Sequence, residues 1–168
     1  MFNILAKLKD SLTNSFNIYD NYSIDKYYFD FMGEFFLTNS KFFLSKEKTI
    51  YAYNNNEYIF AKEVDHLTED YLKENILPFA EYAMDNVIKT DSNHMSSIIT
   101  LFLSSNSVDS NLCALAKKFK KRKSYMFGLK GYVNTRLILF DKSNNELYYN
   151  SDSKEAIKFY KEVVKWMH

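Results

Sequence analysis

Residues 98–103 read Ile-Ile-Thr-Leu-Phe-Leu, and residues 137–140, directly after Arg136, read Leu-Ile-Leu-Phe. Neither run alternates with polar residues, so neither suits a strand with one wet face. Each predicts an inner strand covered on both sides, and a chain with two such strands must supply cover for both faces of a sheet. Around them helical and extended patterns alternate in the order α-ββ-α-β-α-βββ-α. That order predicts an α+β protein with a single mixed or antiparallel sheet covered by helices. With 168 residues, three Gly, one Pro and no linker-like stretch, residues 1–168 read as one domain.

The remaining elements follow from local periodicity. Phe2, Leu5, Leu8, Leu12, Phe16 and Tyr19 recur at steps of three and four, the stripe of an amphipathic helix. Residues 20–32 read as a second short helix, so residues 1–33 form a helical segment packed on or beside the sheet. Short strands are expected at 35–37 and 42–44. Residues 49–53 and 57–61 predict a hairpin turning at Asn54-Asn55-Asn56, because Asn tolerates left-handed backbone angles. Thr68 caps a helix bearing Leu72, Ile76, Phe79, Ala80, Ala83, Val87 and Ile88. A kink or break is expected at Pro78, which lacks an N–H and crowds the carbonyl of Glu74. Asp109 caps a short helix with Leu112, Leu115, Ala116 and Phe119 inward. Strands are expected at 125–129 and 132–140 around Gly128 and Gly131, and at 146–149 after a turn at Ser143-Asn144-Asn145. Ser153 caps a last helix with Ile157, Tyr160, Val164 and Met167 inward.

Charge is unevenly placed. Residues 1–84 hold 8 Lys and Arg against 13 Asp and Glu, net −5, and residues 85–168 hold 14 against 8, net +6. Much of the excess is one run: Lys117, Lys118, Lys120, Lys121, Arg122 and Lys123. Clustered lysines bind phosphate without regard to sequence, and Tyr125, Phe127 and Tyr132 offer rings for stacking on bases. The same run also suits a solvated helix C-terminus that complements the dipole. Phe119 within it continues the stripe of Leu112 and Leu115, which favours the helix end. Lys130-Gly131-Tyr132 matches three positions of an RNA-recognition signature before Val133 and Asn134 break it. The aromatic fraction of 18% accompanies many Lys and Asn. All have A/T-rich codons, so genome composition explains them more cheaply than aromatic platforms for bases or sugars.

Few residues carry catalytic promise. His94, just before the first inner strand, is the best lone candidate, with Arg136 before the second; a hydrogen-bonded strand cap is the favoured reading of His94. Neither His66 nor His168 has ligand-like spacing with it, and no metal or cofactor is expected. Gly128 and Gly131 lack any phosphate-loop context and read as a bulge or bend. Asp141 with Glu146 approaches a nuclease Asp…Glu-x-Lys pattern without the lysine, so both read as hairpin residues. The single Cys113 excludes an intrachain disulfide and reads as a packed small apolar residue. The N-terminus has too short an apolar stretch for a signal-peptide core, and nothing approaches about 18 apolar residues in a row. A cytoplasmic location is expected.

Several segments resemble a known family. FFLTNSKFF, YAYNNNEYIF, HMSSIITLFL and KKFKKRKSYMFGLKGYVNTRLILFD are similar to an uncharacterised family of small soluble α+β proteins of anaerobic bacteria and archaea. The shared elements are His94-Met95-Ser96, the basic run, Lys123-Ser124-Tyr125, Phe127-Gly128 with Gly131-Tyr132, and Arg136 with Asp141. The resemblance covers roughly residues 34–165. Tyr132 stands where Trp is expected, and Asn150-Ser151-Asp152-Ser153-Lys154 lacks an expected Gly. No activity is assigned to that family, so the resemblance implies the fold order and no function.

The leading expectation is therefore a binding or interaction module without catalytic machinery, its partner a protein or a second copy of the chain. Nucleic-acid or polyanion binding through the basic run is the alternative. A small-molecule enzyme around His94 and Arg136 is the second alternative.

Overall fold

The computed structural model describes residues 3–42, 49–91 and 93–165, and for residues 38–42 and 49–54 the backbone alone. The expected positions of Phe2, of the strand end at residues 43–44 and of Met167 lie outside the described residues, as does His168. The chain folds into a seven-stranded mixed sheet with helices on both faces. Its elements are α1 (Ile4–Leu12), β1 (Asn17–Ile24), β2 (Tyr27–Phe42), β3 (Thr49–Val64), α2 (Glu69–Tyr71), α3 (Leu77–Asn86), β4 (His94–Ser105), α4 (Ser110–Lys118), β5 (Arg122–Ser124), β6 (Tyr132–Asp141), β7 (Glu146–Tyr149) and α5 (Ile157–Lys165). The α+β sheet architecture is the expected one, with one more strand in its first half.

Strand order is β1-β2-β3-β4-β6, and β6 carries β5 and then β7 along its outer edge. β3, β4 and β6 run parallel, and the flanking strands pair antiparallel. The two apolar runs lie in β4 and β6 at the centre, where Leu101, Leu103, Leu137, Ile138, Leu139 and Phe140 are fully buried. Alternate residues serve alternate faces. Tyr58, Phe60, Leu101, Leu103, Leu137 and Leu139 pack under α3 and α4, whereas Ile59, Ala61, Phe102, Ile138 and Phe140 pack under α1 and α5.

Four expectations need correction. The helical reading of residues 1–33 holds only for α1. Beyond Thr13, whose hydroxyl donates to the Lys9 carbonyl, Phe16 and Ile18 pack on the α1–α5 face and Tyr22 and Ile24 on the other. These residues form the β1–β2 hairpin, which turns at Asp25-Lys26 with Asp25 at φ 51°. Asn54-Asn55-Asn56 make no turn. β3 runs through them, because Asn55 and Asn56 pair with Leu37 and Phe36 on one side and Ser96 and Ser97 on the other, and Ser96 Oγ donates to Asn55 Oδ1 at 2.5 Å. The break expected at Pro78 is a π-helical turn at Leu72–Ile76, in which the Leu77 N–H bonds the Leu72 carbonyl. That wider turn absorbs the crowding, and Pro78 sits in the first turn of α3. Residues 125–129 form a left-handed loop instead of a strand.

The aromatic core sets an alkaline limit on stability. Burial, followed by the charge of Glu34, pushes the Tyr58 hydroxyl from 10.0 up to about 12. Burial and then Asp85 do the same to Tyr125, from 10.0 up to about 12, and burial raises Tyr160 as well. In the unfolded chain all three ionise near 10, so above that pH the folded state holds more protons than the unfolded one. Stability should therefore fall as pH rises through this window, by about 1.4 kcal/mol per pH unit for each buried ring and by less for the half-buried Tyr125. Urea titrations in steps across the window check this, and a flat midpoint would contradict it.

Candidate functional site

Two places combine exposed or buried chemistry that the fold alone does not require. The first is a pocket of about 300 Å³ between α1 and α5, above the β3–β4–β6 rows. In register, Ile59 lies beside Thr100 and Thr100 beside Arg136, while Glu57 lies one row away beside Ile98. All face α1 and α5. The Arg136 side chain, 7% exposed, reaches across β4, and its Nη1 donates to Glu57 Oε1 at 3.0 Å. Its Nε donates to the carbonyl of Asp152 at 3.1 Å. Burial pushes the Glu57 carboxyl up, and the Arg136 charge draws it back by less. Tyr160, stacked on Phe102 at 5.7 Å, is raised first by burial and then by Glu57. Leu12, Phe16 and Phe159 supply apolar walls, with Ser11 and Ser15 at the rim.

The second place is the loop 125–131. Met126, Phe127 and Gly128 are left-handed in succession, at φ 47°, 54° and 89°, and Gly131 follows at 79°. The base of the loop is fastened. Tyr125 donates its hydroxyl to the Met84 carbonyl at 2.6 Å, and its N–H to the Gly131 carbonyl at 2.9 Å. The tip is apolar and bare: Phe127 is 106% exposed, Leu129 83% and Met126 59%, with Met95 and Tyr132 half exposed below.

The residues expected to carry chemistry are dispersed. His94 is 3% exposed and closed on both sides. Its Nδ1 is 2.6 Å from the Lys130 carbonyl, which can only accept, so in the neutral ring Nδ1 holds the hydrogen and Nε2 accepts from the Ser97 hydroxyl at 2.7 Å. His94 thus pins the loop to the start of β4 and meets no cleft. It lies against Tyr125 on the α3 side of the sheet, opposite Arg136. Asp141 accepts from the N–H groups of Val108 and Ser143 and from the Ser143 hydroxyl, a turn cap at the far end of β6. Cys113 is half-buried on α4.

The basic run divides. Lys121 pairs with Glu81, Lys123 with Asp85 and Arg122 with Asp152. Lys117 faces a cleft between β7 and α5, and Lys118 and Lys120 are exposed. Half of the run is thus engaged by the protein's own carboxylates. Among the described residues no three His, Cys, Asp or Glu side chains converge in a way that would hold a metal ion, and no helix is long and apolar enough to cross a membrane.

Residues 2–162 match the profile of an uncharacterised family described as Domain of unknown function (DUF8052). The chain belongs to this family. The DUF8052 region includes both the Arg136 pocket and the loop 125–131. No curated protein and no solved structure matches the chain, so the chemistry of a DUF8052 protein has to be read from residues such as these.

Glu57 is the pocket residue that sequence reasoning missed. Its signal was a carboxylate two residues before Ile59, hence on the same strand face, mirrored by Arg136 two residues before Ile138.

Proposed function

We propose that the chain acts as an interaction module, docking the tip of loop 125–131 into an apolar cleft with an acidic rim on a partner protein. The supporting observation is Phe127, wholly exposed on a loop held in left-handed conformations. Leaving a Phe, a Leu and a Met in water forgoes roughly 1.5–3 kcal/mol of burial for each. Left-handed non-glycine residues cost about a further 1–2 kcal/mol each. A loop without a partner gains nothing from either. Lys118 and Lys120 carry no ion pair among the described residues, and together with the net +6 of residues 85–168 they favour an acidic partner over a second copy of this basic surface. The same proposal takes residues 1–168 as one domain in the cytoplasm, in keeping with the half-buried thiol of Cys113, and carries no catalytic step.

A photo-crosslinking residue placed at Leu129 in the native cell should give a discrete protein adduct. Phe127→Ser should remove it, because truncating an aromatic anchor weakens a complex by about thirtyfold or more, while folding stability stays within about 0.5 kcal/mol. The same group at Lys158 on α5 should give none. Absence of an adduct at Leu129, or retention on heparin or anionic vesicles that Phe127→Ser abolishes, would overturn the proposal.

A further inference from the structure

The pocket between α1 and α5 lies on the other side of the sheet from loop 125–131 and stands independently of the docking proposal. We propose that it binds a small monocarboxylate with a compact apolar body, whose carboxylate takes the Nη2 edge of Arg136. The guanidinium is held in place from two directions, by Glu57 on Nη1 and by the Asp152 carbonyl on Nε. Among the described residues its Nη2 makes no hydrogen bond, and the Glu155 carboxylate stands 3.9 Å away, beyond hydrogen-bond reach. A side chain 7% exposed therefore keeps donors unspent, and they belong to a residue lining the pocket. Donors on the wall of a pocket are open to a ligand, and a planar carboxylate matches their geometry.

Glu155 shows what the missing acceptor looks like. Its carboxylate stands 3.9 Å from Nη2, yet its side chain is 90% exposed, so a ligand displaces it at little cost. The rest of the pocket sets the ligand's body. Leu12, Phe16, Ile59 and Phe159 line it with apolar surface, and about 300 Å³ is the lower end of small-molecule sites. A single ring or a short branched chain fits. Charge decides the number of acidic groups. Glu57 and Glu155 already flank Arg136, so a second negative charge on the ligand meets two carboxylates and, among the described residues, no further cation lining the pocket. That argues against phosphate and for a monoanion.

Phenylacetate, titrated into the full chain and followed by calorimetry and amide NMR shifts, should bind saturably. Phenylacetamide, of the same shape without the charge, should bind about tenfold more weakly or less well still. Glu155→Gln, at an exposed position, removes the competing carboxylate and should tighten phenylacetate binding about threefold. Ser15→Trp, also exposed, fills the mouth of the pocket and should abolish binding while leaving the unfolding midpoint unchanged. Arg136→Gln should abolish binding too. Because that change leaves Glu57 without its partner and endangers folding, Ser15→Trp and Glu155→Gln carry the test. Equal affinity for acid and amide, unchanged affinity in Glu155→Gln, or full binding by Ser15→Trp would overturn the assignment. So would the absence of saturable binding by phenylacetate, benzoate and octanoate alike.

Discussion

Gly131→Ala is expected to destabilise the protein by about 4 kcal/mol, lowering the thermal midpoint by roughly 10 °C for a chain of this size. Two costs combine. At φ 79° the backbone is left-handed, where an alanine is strained. A Cβ there would also fall 2.3 Å from the Met95 carbonyl oxygen, 2.6 Å from its carbon and 2.8 Å from His94 Nδ1. None of these atoms is the loose end of a flexible chain. Met95 is the second residue of β4, an inner strand, and His94 is held by Lys130 on one nitrogen and Ser97 on the other. Relief requires the loop to lift from β4, which breaks the His94–Lys130 bond. Gly128→Ala separates the two costs. Gly128 has φ 89°, but no described residue lies within 4 Å of its would-be Cβ, so only the conformational part, about 1–2 kcal/mol, should appear. Urea unfolding of both variants with unchanged m-values measures the difference. Equal losses would mean that the close approach at Met95 contributes nothing.

The same loop shows which features local patterns encode. The inner strands were legible because an apolar run covered on both faces has few other places to go. Met126, Phe127 and Leu129 are just as apolar, and the rule that reads apolar residues as buried sends them into a strand; their exposure depends on left-handed turns that a Phe-Gly pair only hints at. Similarly, the stripe of α1 continues in register through Phe16 and Tyr19 with neither Gly nor Pro to stop it. Extended packing ends the helix: Phe16 and Ile18 share one sheet face, and a left-handed Asn21, which drops out of the pairing with β2, turns Tyr22 and Ile24 to the other; that preference exists only once β2 is present. The three asparagines read as a turn because their local preference is for one; cross-strand amide bonding by β2 and β4 overrides it. In the pocket, Arg136 was visible as a lone charge before an apolar strand. Its partner Glu57 lies 79 residues away, and the contact requires that β3, β4 and β6 be neighbours in that order. The basic run was visible as charge, whereas the acids that engage half of it come from α3 and from the turn at Asp152.

That turn holds the residue whose replacement should be most damaging. Asn150 is fully buried and makes four side-chain hydrogen bonds. Oδ1 accepts from the Leu137 N–H at 3.0 Å and the Ser153 hydroxyl at 2.6 Å. Nδ2 donates to the carbonyls of Thr135 at 2.8 Å and Phe119 at 3.2 Å. One amide thus ties β6, the end of α4 and the 3₁₀ turn at Ser151–Ser153 together, and so places the Asp152 carbonyl that orients Arg136. The absence of glycine from Asn150–Lys154 fits this arrangement, because the turn is held by a side chain and not by special backbone angles. Asn150→Asp keeps the shape but sets an anionic oxygen against two carbonyl oxygens. Two hydrogen bonds are lost and a charge is buried, so a loss of about 4–5 kcal/mol is expected at neutral pH. Protonation restores one donor, so burial raises the new carboxyl in the folded state above its unfolded value. The folded variant then holds more protons than the unfolded chain between those two values, and its deficit should shrink as pH falls through the window. Asn150→Ala lacks the charge; its deficit, about 4 kcal/mol from stranded partners and a cavity, should not depend on pH over the same range. Parallel urea titrations of both variants at acid and neutral pH resolve the two cases. If the aspartate variant loses no more at neutral pH than in acid, the amide is not donating to the Thr135 and Phe119 carbonyls as placed.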